Sequence, residues 1–100
     1  MIGVIEWELA GAITPKAKIS VTDSAVATYT IPEGANGVSF QNQGTTKVWY
    51  GDSTVDPANN KGVYLLPGQV LTFKNAKSTF TIGFKCASGD SGTVGLVEID

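Results

Sequence analysis

The sequence has no histidine and no arginine. Without histidine, the Ser-His-Asp and Cys-His constellations are excluded, and with them most zinc sites. Basic charge comes only from seven lysines, which are scattered with no two adjacent. Nucleic-acid binders concentrate basic charge on one face and favour the bidentate arginine fork, so a nucleic-acid partner is not expected. The single cysteine, Cys86, rules out an intrachain disulfide and suits a reducing cytoplasm. No apolar run approaches the ~18 residues of a membrane span, so no membrane partner is expected either. The apolar start, Met1 to Leu9, lacks a basic n-region and is broken by Glu6 and Glu8. It does not read as a signal peptide, and the expectation is a soluble protein made in the cytoplasm.

Charge of either sign is scarce, at 16% of the chain, against about 25% in ordinary soluble domains. Serine, threonine, asparagine, glutamine and glycine fill the polar positions, a composition that suits a β surface in contact with other protein. One hundred residues make one domain with one core.

Period-2 alternation is the dominant pattern. Around Gly44-Thr45-Thr46 stand two runs, Val38 to Gln43 and Val48 to Tyr50, which read as a hairpin. Val38 and Phe40 share one face of the first run, while Ser39, Gln41 and Gln43 share the other. The second run is apolar throughout, as though covered on both faces. Before the pair come Lys18 to Thr22 and Val26 to Ile31, ended by Pro32-Glu33-Gly34. After it, Gly51 to Gly62 has no period and reads as a surface loop. A turn of helix is expected there after Asp56-Pro57, with aspartate capping and proline at the first helical position. Val63 to Leu66, a Pro67-Gly68 turn and Val70 to Lys74 follow. Thr79 to Cys86 is the clearest strand, with Phe80, Ile82, Phe84 and Cys86 toward the core. Ala87 to Gly92 reads as a hairpin loop into the last strand, Thr93 to Ile99. There Val94 and Leu96 share one face and Val97 and Ile99 the other, which predicts a bulge or cover on both faces.

About eight short strands with no 3.6-residue period predict an all-β domain, a small sandwich or barrel of jelly-roll or Greek-key type. Residues 13–100 form this domain. Residues 1–12 are either its first strand or an arm that adds to a neighbour's sheet. Ile5, Trp7 and Leu9 share one side of that segment, with Glu6 and Glu8 on the other, and Gly11, Ala12 and Pro15 read as a loose joint.

Chemistry has few places to reside. Cys86 is in phase with core residues and reads as a small buried hydrophobe. Ser53 has no base to activate it. Asp52, Asp56, Asn59 and Asn60 gather oxygen ligands, yet the calcium-loop pattern is incomplete, and Asx turns and capping account for them. Glu6 and Glu8 share a face but have no cleft implied around them. Trp49 and Tyr64, with Tyr50, are candidates for a sugar-binding platform as well as for packing. No catalytic residue, metal site or cofactor is expected.

Val26 to Ala35, Val38 to Asn42, Val48 to Gly51, Tyr64 to Gly68 and the closing Ala87-Ser88-Gly89 element together resemble a group of small tailed-phage virion proteins. The resemblance runs from Ile19 to the C-terminus. Members of that group look like capsid decoration or cement proteins, head fibres, and β modules appended to tail proteins. It implies a structural, non-enzymatic role in the virion, and the length of the chain favours decoration of the head. The implied partners are the major capsid protein and copies of the chain itself, as a trimer or otherwise a dimer. The alternative is a receptor- or carbohydrate-binding module of a fibre or tail, using Trp49 and Tyr64.

Overall fold

A computed structural model describes residues 12–99. Among them are nine strands: β1 Ile13–Pro15, β2 Ile19–Val21, β3 Ala27–Ile31, β4 Gly37–Asn42, β5 Val48–Gly51, β6 Val63–Leu65, β7 Val70–Lys74, β8 Phe80–Lys85 and β9 Gly92–Ile99. A single 3-10 turn, Pro57–Asn59, lies between β5 and β6. One antiparallel sheet has β1 and β2 along one side of β9, followed by β4 and β7, and the other runs β3-β8-β5-β6. The pairs β2–β9, β3–β8, β4–β7 and β5–β6 are the rungs of one long hairpin whose tip is the 52–62 loop. The pairs β4–β9 and β5–β8 wrap that hairpin into two facing sheets. This is the jelly-roll form of β-sandwich, one of the forms that the alternation and turn spacing predict.

Most short connections cross between the sheets instead of forming hairpins. Val38 to Gly51 is the main correction, because β4 and β5 lie in different sheets. The cause is Asn42, whose side chain is wholly buried. Its Oδ1 accepts from the Gly44 N–H at 3.0 Å, and its Nδ2 donates to the Thr46 and Leu65 carbonyls, each at 2.9 Å. The first bond is an Asx turn that diverts the chain from its own sheet. The bond to Leu65 ties it to the other. Ala87 to Ser91 likewise carries the chain across, from β8 to β9. Pro67-Gly68 does turn as expected, with the Gln69 N–H on the Leu66 carbonyl at 3.0 Å and Gly68 at φ +86°. That positive φ is what a type II turn asks of glycine. The turn nevertheless delivers the chain from β6 to β7 of the facing sheet.

Phe40 sits at the centre of the core. It meets Tyr29, Phe73 and Phe84 at centroid distances of 5.7, 6.1 and 5.3 Å, and the first two contacts are T-shaped. Val21, Ile31, Val38, Val48, Ile82, Cys86, Val94 and Leu96 close around these rings. Each fully buried aromatic or branched side chain contributes roughly 1.5–3 kcal/mol. Ile82, Phe84 and Cys86 are buried as expected, but Phe80 is 37% exposed. The reason is strand length: β5 ends at Gly51 opposite Gly83, so Phe80 has β3 on one side and none of the described strands on the other. Phe73 from the facing sheet is its main aromatic neighbour, at 5.4 Å.

β9 needs no bulge against β4, because their register runs unbroken from Gly37↔Ile99 to Asn42↔Val94. Both of its faces are covered instead: Val94 and Leu96 are buried on the core side and Ile99 on the other. Ser39, on that second face, is also buried, and its hydroxyl lies 3.2 Å from that of Thr72. Pro15, read as part of a loose joint with Gly11 and Ala12, instead ends a strand, Ile13–Pro15, in register with Ile99 to Val97, while Gly11 lies outside the described residues. The strand occupies the sheet edge, where a proline costs no ladder bond.

Candidate functional site

The loop at the tip of the roll uses its own polar groups. Asp52 Oδ1 accepts from the Thr54 N–H at 2.8 Å and from its hydroxyl at 2.5 Å. The Asp56 carboxylate accepts from the Asn59 side chain at 2.6 Å. These bonds favour the charged form and hold both carboxyls below the usual range, with lysine charge (Lys61 near both, Lys85 near Asp56) adding a smaller effect. Pro57 opens the 3-10 turn as expected, with Asp56 as the cap residue, but the Asp56 side chain caps no backbone N–H there. Beneath the loop Val55 is buried. The Asp52 carbonyl lies where a side chain at position 83 would stand, so Gly83 is required on the outward face of β8. Asp52 and Asp56 therefore serve turns. Ser53 is exposed beside them, and Asp52 Oδ1 is engaged by Thr54.

Cys86 is buried, and desolvation, with a smaller effect of the Asp90 charge, pushes its thiol above the ordinary value. Such a thiol carries little thiolate at neutral pH. Across the core, the Tyr29 hydroxyl donates to Glu98 of the facing sheet, and Lys16 Nζ lies 3.5 Å from the other carboxylate oxygen. Burial first, then the bond and charge of Glu98, push the Tyr29 phenol up to about 12. This cluster joins residues 69 positions apart, and no local pattern announces it.

Among the described residues, the surface without an internal use is the β6 edge of the four-stranded sheet. Trp49 and Tyr64 are direct cross-strand partners on its outer face, their rings 5.2 Å apart and tilted by 56°. Of the three aromatic platform candidates, the register brings Trp49 and Tyr64 together, while Tyr50 packs against the core. Lys47 Nζ stands 4.3 Å over the Tyr64 ring, a cation–π contact that takes up that face. Lys85 is the partner of Trp49 on its other side. At the edge itself Val63, Tyr64 and Leu66 are 60%, 40% and 44% exposed, while Leu65 between them is buried. The rings thus form a tilted pair with a lysine on it, not a flat shelf. The apolar side chains beside them are open to water.

Ile5, Trp7 and Leu9 lie outside the described residues. Comparison with protein-family models, with curated proteins and with solved structures gives no match.

Proposed function

We propose that this chain is a non-enzymatic structural protein of a phage virion, a capsid decoration or cement protein acting through protein–protein contacts. The observation that carries the proposal is the cluster of exposed Val63, Tyr64 and Leu66 on a strand edge with no neighbour among the described residues. Exposed apolar edges are contact surfaces, and folded proteins otherwise guard them. The motif resemblance from Ile19 onward supports the virion setting. The strand order supports it only by analogy, since jelly rolls include viral capsid, lectin and cupin domains alike. Partners on this reading are the major capsid protein and further copies of the chain, and no cofactor takes part. Purified protein should co-sediment with tailed-phage heads in stoichiometric amount and raise their melting temperature. Protein that stays in the supernatant at tens of micromolar would overturn the reading.

The second reading is a carbohydrate- or receptor-binding module, favoured by the adjacency of Trp49 and Tyr64. Lys47 over the Tyr64 ring weighs against sugar stacking there. Titration with glycans, followed by Trp49 fluorescence, separates the two: saturable quenching supports the module, and no response supports the virion protein.

A further inference from the structure

We infer that the free edge of β6 accepts the Met1 to Leu9 segment of a second copy of this chain as an added strand. The inference rests on the structural reading above, and it names the partner and the contact.

The four sheet edges are not alike. β1 carries Pro15 and is followed by Lys16, β2 is preceded by Lys18, and β7 ends in Lys74. Proline and lysine are the ordinary guards of an edge. β3 offers water only the small polar Thr28 and Thr30. On β6 and the residue after it, Val63, Tyr64 and Leu66 are exposed with no charge among them. Three side chains are far short of the roughly 20 residues a side of a standard interface. A donated nine-residue strand would bring the contact nearer that size.

The alternation of the first nine residues matches this edge. A strand added beside β6 shows alternate side chains to the two faces of the sheet. On the inner side it meets Val63 and Leu65, and on the outer side Tyr64 with Lys47 over its ring. Ile5, Trp7 and Leu9 have one parity, and Glu6 and Glu8 the other. Setting the apolar parity inward lays both glutamates along Tyr64 and Lys47. The receiving face is cationic: outward positions on β5, β6 and β8 include Lys85 and no acid. Asp52 and Asp56 stand near Lys61. The one ion pair among the described residues is Lys16–Glu98, so Lys47 has the Tyr64 ring but no carboxylate.

Topology assigns the donor to another molecule. β1 borders one side of the sandwich, where β2 packs on β3, and β6 borders the other side. Three strand spacings, about 15 Å, separate β3 from β6. With Met1 to Leu9 laid along β6, only Ala10, Gly11 and Ala12 remain before Ile13, roughly 14 Å when extended, too short to cross both that width and the roughly 10 Å between facing sheets within one molecule. Reciprocal donation closes a dimer, and cyclic donation closes a ring such as a trimer.

The test uses the full chain. An equal mixture of isotope-labelled and unlabelled protein is treated with a carbodiimide, which joins a lysine to a carboxylate in contact with it. Cross-linked peptides between Lys47 and Glu6 or Glu8 that carry one label on each half are expected. Only same-label pairs, or no link to Lys47 at all, would overturn the inference. In parallel, native mass spectrometry follows Val63→Lys with Leu66→Lys, and Lys47→Glu. Each should weaken self-association about tenfold or more, and Glu6→Lys with Glu8→Lys should restore association to the Lys47→Glu protein. An oligomer indifferent to all of these would refute donation to β6. Head binding is measured on the same variants. A wild-type chain that stays monomeric yet binds heads would refute strand donation while leaving the structural reading intact.

Discussion

Leu65 joins two regions of opposite character. On one side its carbonyl is held by the buried amide of Asn42, which also takes the Thr46 carbonyl and the Gly44 N–H. Nearby, the Gly68 N–H is on the Asn42 carbonyl at 2.8 Å and the Asn42 N–H on the Gln69 carbonyl at 3.1 Å. On the other side, Tyr64 and Leu66 flank Leu65 and turn their side chains to water. One short strand is thus pinned into the sandwich by its carbonyl and buried leucine, and offered outward by its neighbours. Polar saturation marks where this fold is held, and apolar exposure marks where it is available.

The largest test of that division compares two phenylalanines on one strand face. Phe84, fully buried against Phe40, should lose about 3–5 kcal/mol on mutation to alanine. Phe80, already a third exposed, should lose about 1–2 kcal/mol, since less of it leaves water on folding. Urea melts with equal losses would mean that the end of β8 is as closed as its middle.

Next comes Asn42→Ala. It removes three hydrogen bonds at a buried site, and a buried group left without a partner costs about 1–3 kcal/mol. Partial relaxation brings the expected loss to roughly 2–4 kcal/mol. A melt shifted by less than about 1 kcal/mol would mean that the arch from β4 to β5 is not held by this side chain.

A smaller effect is expected from Tyr29 at high pH. Its folded pKa of about 12 lies above the ordinary 10. Between those values the unfolded chain releases the phenolic proton while the folded one keeps it, so stability is full below about 10 and falls toward about 12. Tyr29→Phe should flatten this decline in denaturant midpoints taken across that window. Equal slopes for the two proteins would mean that the fold does not hold this phenol above its ordinary range.

Which residues share a face was legible in the sequence, because alternation depends only on the pleat. Val38 with Phe40, and Ile82 with Phe84 and Cys86, were read this way and are buried together. Which sheet a strand joins was not legible. Gly44 to Thr46, Pro67-Gly68 and Ala87 to Ser91 have hairpin lengths and turn chemistry, yet each crosses the sandwich. Turn residues say where a chain reverses, while partner choice depends on pairings distant in sequence. Asn42 did leave a signal: an amide on the inward parity of an apolar strand, two residues before a glycine. A buried amide needs partners, and Gly44 is one that it can reach. Trp49 and Tyr64 were read, with Tyr50, as one candidate platform from residue type alone, and the adjacency of the first two depends on the β5–β6 register. The tilt between the rings and the lysine over Tyr64 depend on side-chain packing.

The smallest expected effect is the most diagnostic for the exposed side. Val63 is 60% exposed, and its only strand partner among the described residues is Tyr50. Lysine at an exposed edge keeps its ammonium in water and its stem along the strand. Val63→Lys should therefore stay within roughly 0.5 kcal/mol of wild type in stability. At the same position of a closed interface, the charge would be buried and strongly unfavourable. The two outcomes are read on different instruments: a denaturant melt at concentrations where the wild type is monomeric, and native mass spectrometry where it associates. An unchanged melt with lost association fits a side chain that serves contact and not the fold. A melt lowered by 2 kcal/mol or more, on the order of a core substitution, would instead make Val63 part of the core and erase the contrast with Asn42.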